Sequence, residues 1–173
     1  MRQRLFFALW PAPELQRRMF EYGQSACAGM AARASPIDKL HMTLLFLGSV
    51  DGQTQDCLEQ AVAELPLPRF ELKFGHLHHR RRQQMLWLQP DAPAPQLQAL
   101  VAALRRLAAD CGLKIDARPF CAHVTLLRKL IRPVANLPKP DFVWPVQALT
   151  LVASKTLPTG AEYRCIKKWP LNA

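Results

Sequence analysis

His41-Met42-Thr43-Leu44-Leu45-Phe46-Leu47-Gly48 is the stretch that decides the fold, and it has a partner in His123-Val124-Thr125-Leu126. Each is a His-x-Thr-x inside a hydrophobic run. In a β-strand alternate side chains share a face. His41 and Thr43 are therefore expected to point one way, with Met42, Leu44 and Phe46 pointing the other. His123 and Thr125 stand likewise against Val124 and Leu126. Each strand buries one face and presents an imidazole and a hydroxyl on the other. Two imidazoles on one cleft can supply an acid and a base near neutral pH, and two hydroxyls can donate hydrogen bonds to an oxyanion.

Outward from these strands, residues 4–10 read as a buried strand. Pro11-Ala12-Pro13-Glu14 opens a helix, with proline in the first turn and an acid at the positive end of the dipole. Leu15, Met19, Tyr22 and Cys27 carry its period to about Met30, and Ser35-Pro36 leads into a strand over 40–47 closed by Gly48. Asp51-Gly52 is a turn. Leu58, Ala61, Val62 and Leu65 make a second helix, ended by Pro66 and Pro68. Residues 70–74 alternate as a strand, 76–84 read as a polar loop, and 85–88 as the returning strand. Pro93 and Pro95 introduce a third helix, carried by Leu97, Leu100, Val101, Leu104, Leu107 and Ala108 and ended by Gly112. The second histidine strand spans 121–128. Pro133, Pro138 and Pro140 mark a long loop. Two strands follow, 146–153 and 162–169, separated by Pro158-Thr159-Gly160. The order strand, proline-opened helix, loop, His-x-Thr strand occurs twice, which suggests two similar lobes related by a pseudo-twofold.

The chain has 173 residues, half of them hydrophobic, enough for one domain over 1–173 with a full core. It has no apolar run of about 18 residues, so no membrane helix is expected. Arg2 to Trp10 is basic then apolar, but Pro11 cuts the run short of a signal peptide. Cys27, Cys57, Cys111, Cys121 and Cys165 are scattered without C-x-x-C spacing and read as reduced, mostly buried thiols of a cytoplasmic protein. Cys121, two residues before His123, is a nucleophile on paper and a packing residue by habit. The formal charge of +10 favours polyanions, with nucleic acid first among them.

At this point the chain resembles the RNA 2′,3′-cyclic phosphodiesterases, also called 2′-5′ RNA ligases, of the two-histidine phosphoesterase superfamily. The resemblance rests on Arg4-Leu5-Phe6-Phe7-Ala8-Leu9-Trp10-Pro11, on Leu40 to Gly48, and on Arg118-Pro119-Phe120-Cys121-Ala122-His123-Val124-Thr125-Leu126-Leu127-Arg128. Ala122 departs from the proline often found there. The resemblance implies an α+β, bilobal fold, with two antiparallel sheets flanking a central groove and helices outside. It implies His41 as proton donor and His123 as proton acceptor, where the residues alone offer two equivalent candidates. The substrate it implies is RNA with a 2′,3′-cyclic phosphate end, hydrolysed to a 2′-phosphate, with 2′-5′ ligation when a 5′ hydroxyl replaces water. No cofactor and no metal are expected, and the protein is expected to act as a monomer in the cytoplasm.

Thr43 and Thr125 are candidates for holding non-bridging phosphate oxygens, although β-propensity alone explains a threonine in a strand. Arg128 suits a phosphate, yet strict alternation puts it on the face opposite His123, so the strand must bulge, twist or end first. Arg80, Arg81 and Arg82 either steer RNA or are merely solvated. Tyr163, Phe120 and Trp10 either stack on bases or pack in the core. His76, His78 and His79 lack the further spaced ligands of a zinc site. Two other functions stay open: a non-catalytic RNA-binding module, and a phosphodiesterase for a small ester such as ADP-ribose cyclic phosphate.

Overall fold

The computed structural model describes residues 2–92, 94–134, 137–158 and 160–172. Nine strands and three helices follow one another among these residues: β1 (Gln3–Leu9), α1 (Pro13–Cys27), β2 (Arg33–Ala34), β3 (Met42–Val50), α2 (Gly52–Ala63), β4 (Phe70–Arg80), β5 (Met85–Pro90), α3 (Pro95–Asp110), β6 (Val124–Arg128), β7 (Phe142–Val146), β8 (Ala148–Leu157) and β9 (Gly160–Pro170). They form two antiparallel sheets, one ordered β3-β1-β8-β9 and the other β2-β6-β5-β4-β7. Setting aside the edge strand β2, the orders correspond strand for strand, β3 to β6 and β1 to β5. The expected pseudo-twofold is present in the topology. The histidine strands β3 and β6 approach each other between the sheets.

Packing ties the sheets together. α1 follows a strand of the first sheet but lies against β6 and β7 of the second, while α3 follows a strand of the second and lies against β3 of the first. Leu15 and Met19 of α1, and Leu97, Leu100, Val101, Leu104 and Ala108 of α3, are their buried faces. Both join a core that runs through Phe7, Leu9, Leu72, Phe74 and Trp144. Phe6, Ala8 and Val152 form a smaller cluster on the opposite face of the first sheet, with Trp10 and Tyr163 packed on it. No helix among the described residues is long and apolar enough to cross a membrane.

Several elements differ from expectation. The stretch 76–84 is mostly strand: β4 runs to Arg80, and only Arg81–Gln83 and a left-handed Gln84 turn the chain. Cross-strand pairing of His78 with Trp87 and His79 with Leu86 overrides the polar composition. β7 falls where only loop was expected. Its Pro145 is tolerable because β7 is an edge strand. Gly48 does not close β3. It adopts φ +75 and lets the strand continue to Val50 past a register shift, a conformation that favours glycine. Asp51 is a helix cap whose side chain accepts from the Thr54 amide at 3.0 Å. Pro93 and Thr159 lie outside the described residues.

The cysteine expectation fails in part. Cys57 of α2 and Cys111, which follows α3, are joined in a disulfide, and Cys121 and Cys165 are exposed. Side-by-side packing of α2 and α3 creates a pairing that no sequence spacing announces. A cross-link across a sequence separation of 54 restricts the unfolded chain by about 4 kcal/mol in the loop-closure picture. Oxidised protein is therefore expected to melt several degrees above protein held in reductant, and a Cys57→Ser, Cys111→Ser double variant should match the reduced form in either buffer. Equal melting of the wild type with and without reductant would show the helices unlinked.

Candidate active site

His41 and His123 both sit one residue before their strands, β3 and β6, and so mark the entrances rather than the middles. Each ring is fixed in the same way. His41 Nδ1 lies 2.8 Å from the Lys39 carbonyl, and His123 Nδ1 lies 2.8 Å from the Cys121 carbonyl. A carbonyl only accepts, so each Nδ1 carries the proton and each Nε2 is left for chemistry. Thr43 Oγ1 lies 3.0 Å from His41 Nε2 and donates to it while that ring is neutral. Among the described residues, Thr125 makes no matching bond to His123.

Each imidazole also rests on a tryptophan. Trp10 stacks on His41 at 4.6 Å between ring centroids, and Trp87 stacks on His123 at 3.7 Å. Tyr163 stands edge-on to His41 at 5.3 Å. The guanidinium of Arg80 lies 4.6 Å from the Trp87 ring centre, which makes a ladder of Arg80, Trp87 and His123. The tryptophans occupy different register positions, for Trp87 pairs with Thr125 where Ala8 pairs with Thr43. Their role depends on strand pairing, so the sequence carried no signal for Trp87 and only a generic aromatic at Trp10. Phe120 packs against the main core.

The remaining geometry follows from one irregularity repeated in both strands. In the β1–β3 ladder Phe7 pairs with Leu45 but Ala8 pairs with Thr43, so Leu44 is an extra residue. In the β5–β6 ladder Leu86 pairs with Leu127 but Trp87 pairs with Thr125, so Leu126 is extra. Each bulge turns the next residues over. Leu44 and Leu45 are both buried, as are Leu126 and Leu127. Beyond them, Phe46 and Arg128 return to the face of Thr43 and Thr125. The expectation that Phe46 opposes His41 is thus corrected: Phe46 is 69 % exposed and packs beside Phe6, which itself lies 5.6 Å from His41. The same device resolves the difficulty with Arg128.

The electrostatics bring these groups together. Burial pushes the His41 pKa down to about 4, and the nearby charges of His123 and Arg128 press the same way against the Lys39 carbonyl, which favours the proton. Burial also lowers His123, assisted by Arg80 and Arg128 and opposed by the Cys121 carbonyl. Both shifts disfavour the protonated rings. Among the described residues the Cys121 thiol accepts from Gln89 Nε2 at 3.3 Å and makes no hydrogen bond with His123. His76 pairs with Asp91 at 2.7 Å, and His79 Nε2 lies 3.2 Å from the Leu130 carbonyl. Among the described residues no group of three or more His, Cys, Asp or Glu is placed to hold a metal ion.

Comparison with known proteins agrees with this geometry. The family described as the 2′-5′ RNA ligase superfamily matches residues 13–156. The RNA 2′,3′-cyclic phosphodiesterase of Escherichia coli is 32% identical over 172 residues, covering 98% of this chain and 97% of the relative. That of Thermus thermophilus is 26% identical over 190 residues, covering 98% and 90%. The crystal structure of E. coli LigT complexed with 3′-AMP superposes with a TM-score of 0.89 at 30% identity, covering all of both chains. The chain belongs to the 2′-5′ RNA ligase superfamily. Within it, this is a member of the cyclic phosphodiesterase/2′-5′ RNA ligase family.

A stability consequence follows from the depressed His41. The unfolded imidazole titrates near 6.5 and the folded one near 4, so below pH 6.5 the unfolded chain holds a proton that the native state refuses. Stability is full above pH 6.5 and is lost as pH falls toward 4, by on the order of 3 kcal/mol. Between pH 7 and pH 4.5 the urea midpoint of the wild type should therefore fall more steeply than that of His41→Gln. Parallel curves would mean that His41 is not depressed.

Proposed function

We propose that this chain hydrolyses RNA 2′,3′-cyclic phosphate ends to 2′-phosphates, with His41 and His123 as a general acid and base. The observation that carries the reading is the matched pair of imidazoles, each pinned through Nδ1 and presenting Nε2 on the face shared with Thr43, Thr125 and Arg128. His123, neutral, takes a proton from water as the water oxygen bonds to phosphorus. The P–O3′ bond breaks, and His41 passes its Nε2 proton to the departing O3′. Thr43, Thr125 and Arg128 hold the non-bridging oxygens while charge redistributes. Every proton is accounted for by the two rings, so the reading needs no metal. A 5′ hydroxyl in place of water gives a 2′-5′ linkage by the same route.

His41 must acquire its proton with the substrate. The phosphate brings a negative charge beside both rings and raises their proton affinity. Phe46, apolar and largely exposed, offers a stacking face to the base. Binding of 3′-AMP by the similar E. coli LigT supports a nucleotide in the groove. The reaction uses one chain, and an RNA substrate places it in the cytoplasm, where the Cys57–Cys111 link is expected to be reduced.

The test is hydrolysis of a short RNA ending in a 2′,3′-cyclic phosphate, with EDTA present and the product isomer identified. His41→Ala and His123→Ala should each lose at least ~10²-fold in rate. A wild type without turnover would leave an RNA-binding module, and turnover surviving in both variants would put the site elsewhere. The pH profile gives a second check. kcat/KM reports the free enzyme and kcat the complex, so the kcat/KM bell should be displaced to lower pH than the kcat bell. Coincident or reversed bells would refute the role given to the substrate charge.

A further inference from the structure

Beside the histidines lies a cavity of about 450 Å³, lined by Arg33, Ser35, Lys39, Arg128, Lys129 and Tyr163 among others. Four cations and no carboxylate line it. Among the described residues, none of the four forms a salt bridge. Like charges gathered in a concavity repel one another and concentrate a positive field. Arg33, Arg128 and Lys129 are exposed, but the backbone fixes where they stand. β2 pairs Arg33 in register with Arg128. Lys129 is held at φ 57, a left-handed conformation uncommon for lysine, and its neighbour Leu130 is anchored by donating its amide to the Gln84 carbonyl at 2.9 Å. Ser35 is only 4 % exposed, and its hydroxyl has no hydrogen-bond partner among the described residues, although buried donors are nearly always paired.

The cavity adjoins the catalytic groove through two shared residues. Arg128 acts electrostatically on both imidazoles, and Tyr163 stands against His41. Resting on the function proposed above, we infer that this cavity is a subsite for a second phosphate, the one on the 5′ side of the nucleoside whose cyclic phosphate is cleaved. An RNA end carries that phosphate, and a nucleoside 2′,3′-cyclic phosphate lacks it. Arg33 and Lys129 then select nucleic-acid ends over small esters without touching the reacting atoms.

Binding tests this independently of turnover. Calorimetry at fixed salt compares adenosine 2′-phosphate with adenosine 2′,5′-bisphosphate. The wild type should bind the bisphosphate at least ~10-fold tighter, the effect of one charge-assisted contact. An Arg33→Gln, Lys129→Asn double variant should bind both ligands alike, with its affinity for the monophosphate within about twofold of wild type. Asparagine tolerates the left-handed backbone, which protects the fold. An Arg81→Gln, Arg82→Gln variant, with the same loss of charge outside the cavity, should keep the full preference. Equal affinities in the wild type would overturn the subsite. So would equal losses for both ligands in the cavity variant, or the same loss of preference in the control. A preference that persists in an enzyme without turnover would uphold the subsite and overturn the catalytic reading alone.

Discussion

One extra residue directly after the threonine of each histidine strand, Leu44 in β3 and Leu126 in β6, sets what the groove can contain. A regular strand would send His and Thr to the groove and every second residue after them, so that Leu45 and Leu127 followed the threonines. Those positions would be apolar in the groove and would leave Phe46 and Arg128 on the buried side. The bulges instead seal two consecutive leucines into the core and re-aim the chain. Burial of Leu44, Leu45, Leu126 and Leu127 provides the driving force, since turning any one of them to water forfeits about 1.5–3 kcal/mol. The groove's far end is thus specified by hydrophobic residues that never enter it.

The electrostatic state of the site follows from the same packing. Imidazoles pressed against Trp10 and Trp87 lose water on one face, and desolvation is the largest influence on each. Arg128 and Arg80 add positive potential. The groove therefore disfavours protonated rings, and on the proposed mechanism the charge of the substrate completes the acid. Coupling of this kind keeps proton donation tied to occupancy, because a donor that is neutral when alone has little to release to bulk water.

The element order and the two His-x-Thr strands were legible in the sequence because both rest on short-range pattern, while the two-sheet groove architecture came with the family resemblance. The His-x-Thr alternation, the proline-opened helices and the repeat of element order each depend on neighbours within a few residues. What was hidden depends on pairing across the sheet. Register decides whether 76–80 is loop or strand, whether Trp87 lies under His123, and whether Arg128 faces in or out. That the strand must bulge, twist or end for Arg128 to share the face of His123 could be deduced, but which of these occurs, and where, could not. The bulge before Phe46 was missed because a phenylalanine fits a buried face without protest, so nothing in the alternation flagged an error. Cys57 and Cys111 meet through helix packing at long sequence separation, where spacing carries no information.

Near-symmetry leaves the substrate's direction to be set by the residues that break it. Both lobes supply a pinned imidazole, a hydroxyl and a bulge. After the bulge one lobe gives Phe46, an exposed ring, and the other gives Arg128, a guanidinium whose charge acts on both histidines and which borders the basic cavity. A nucleotide has the same polarity, with a flat apolar base at one end and phosphates at the other. Among the described residues β2 has no counterpart in the other sheet, and it brings Arg33 alongside Arg128. The departure from the twofold is therefore concentrated where an RNA strand would enter, and a symmetric scaffold acquires a single productive orientation without any change to its two catalytic strands.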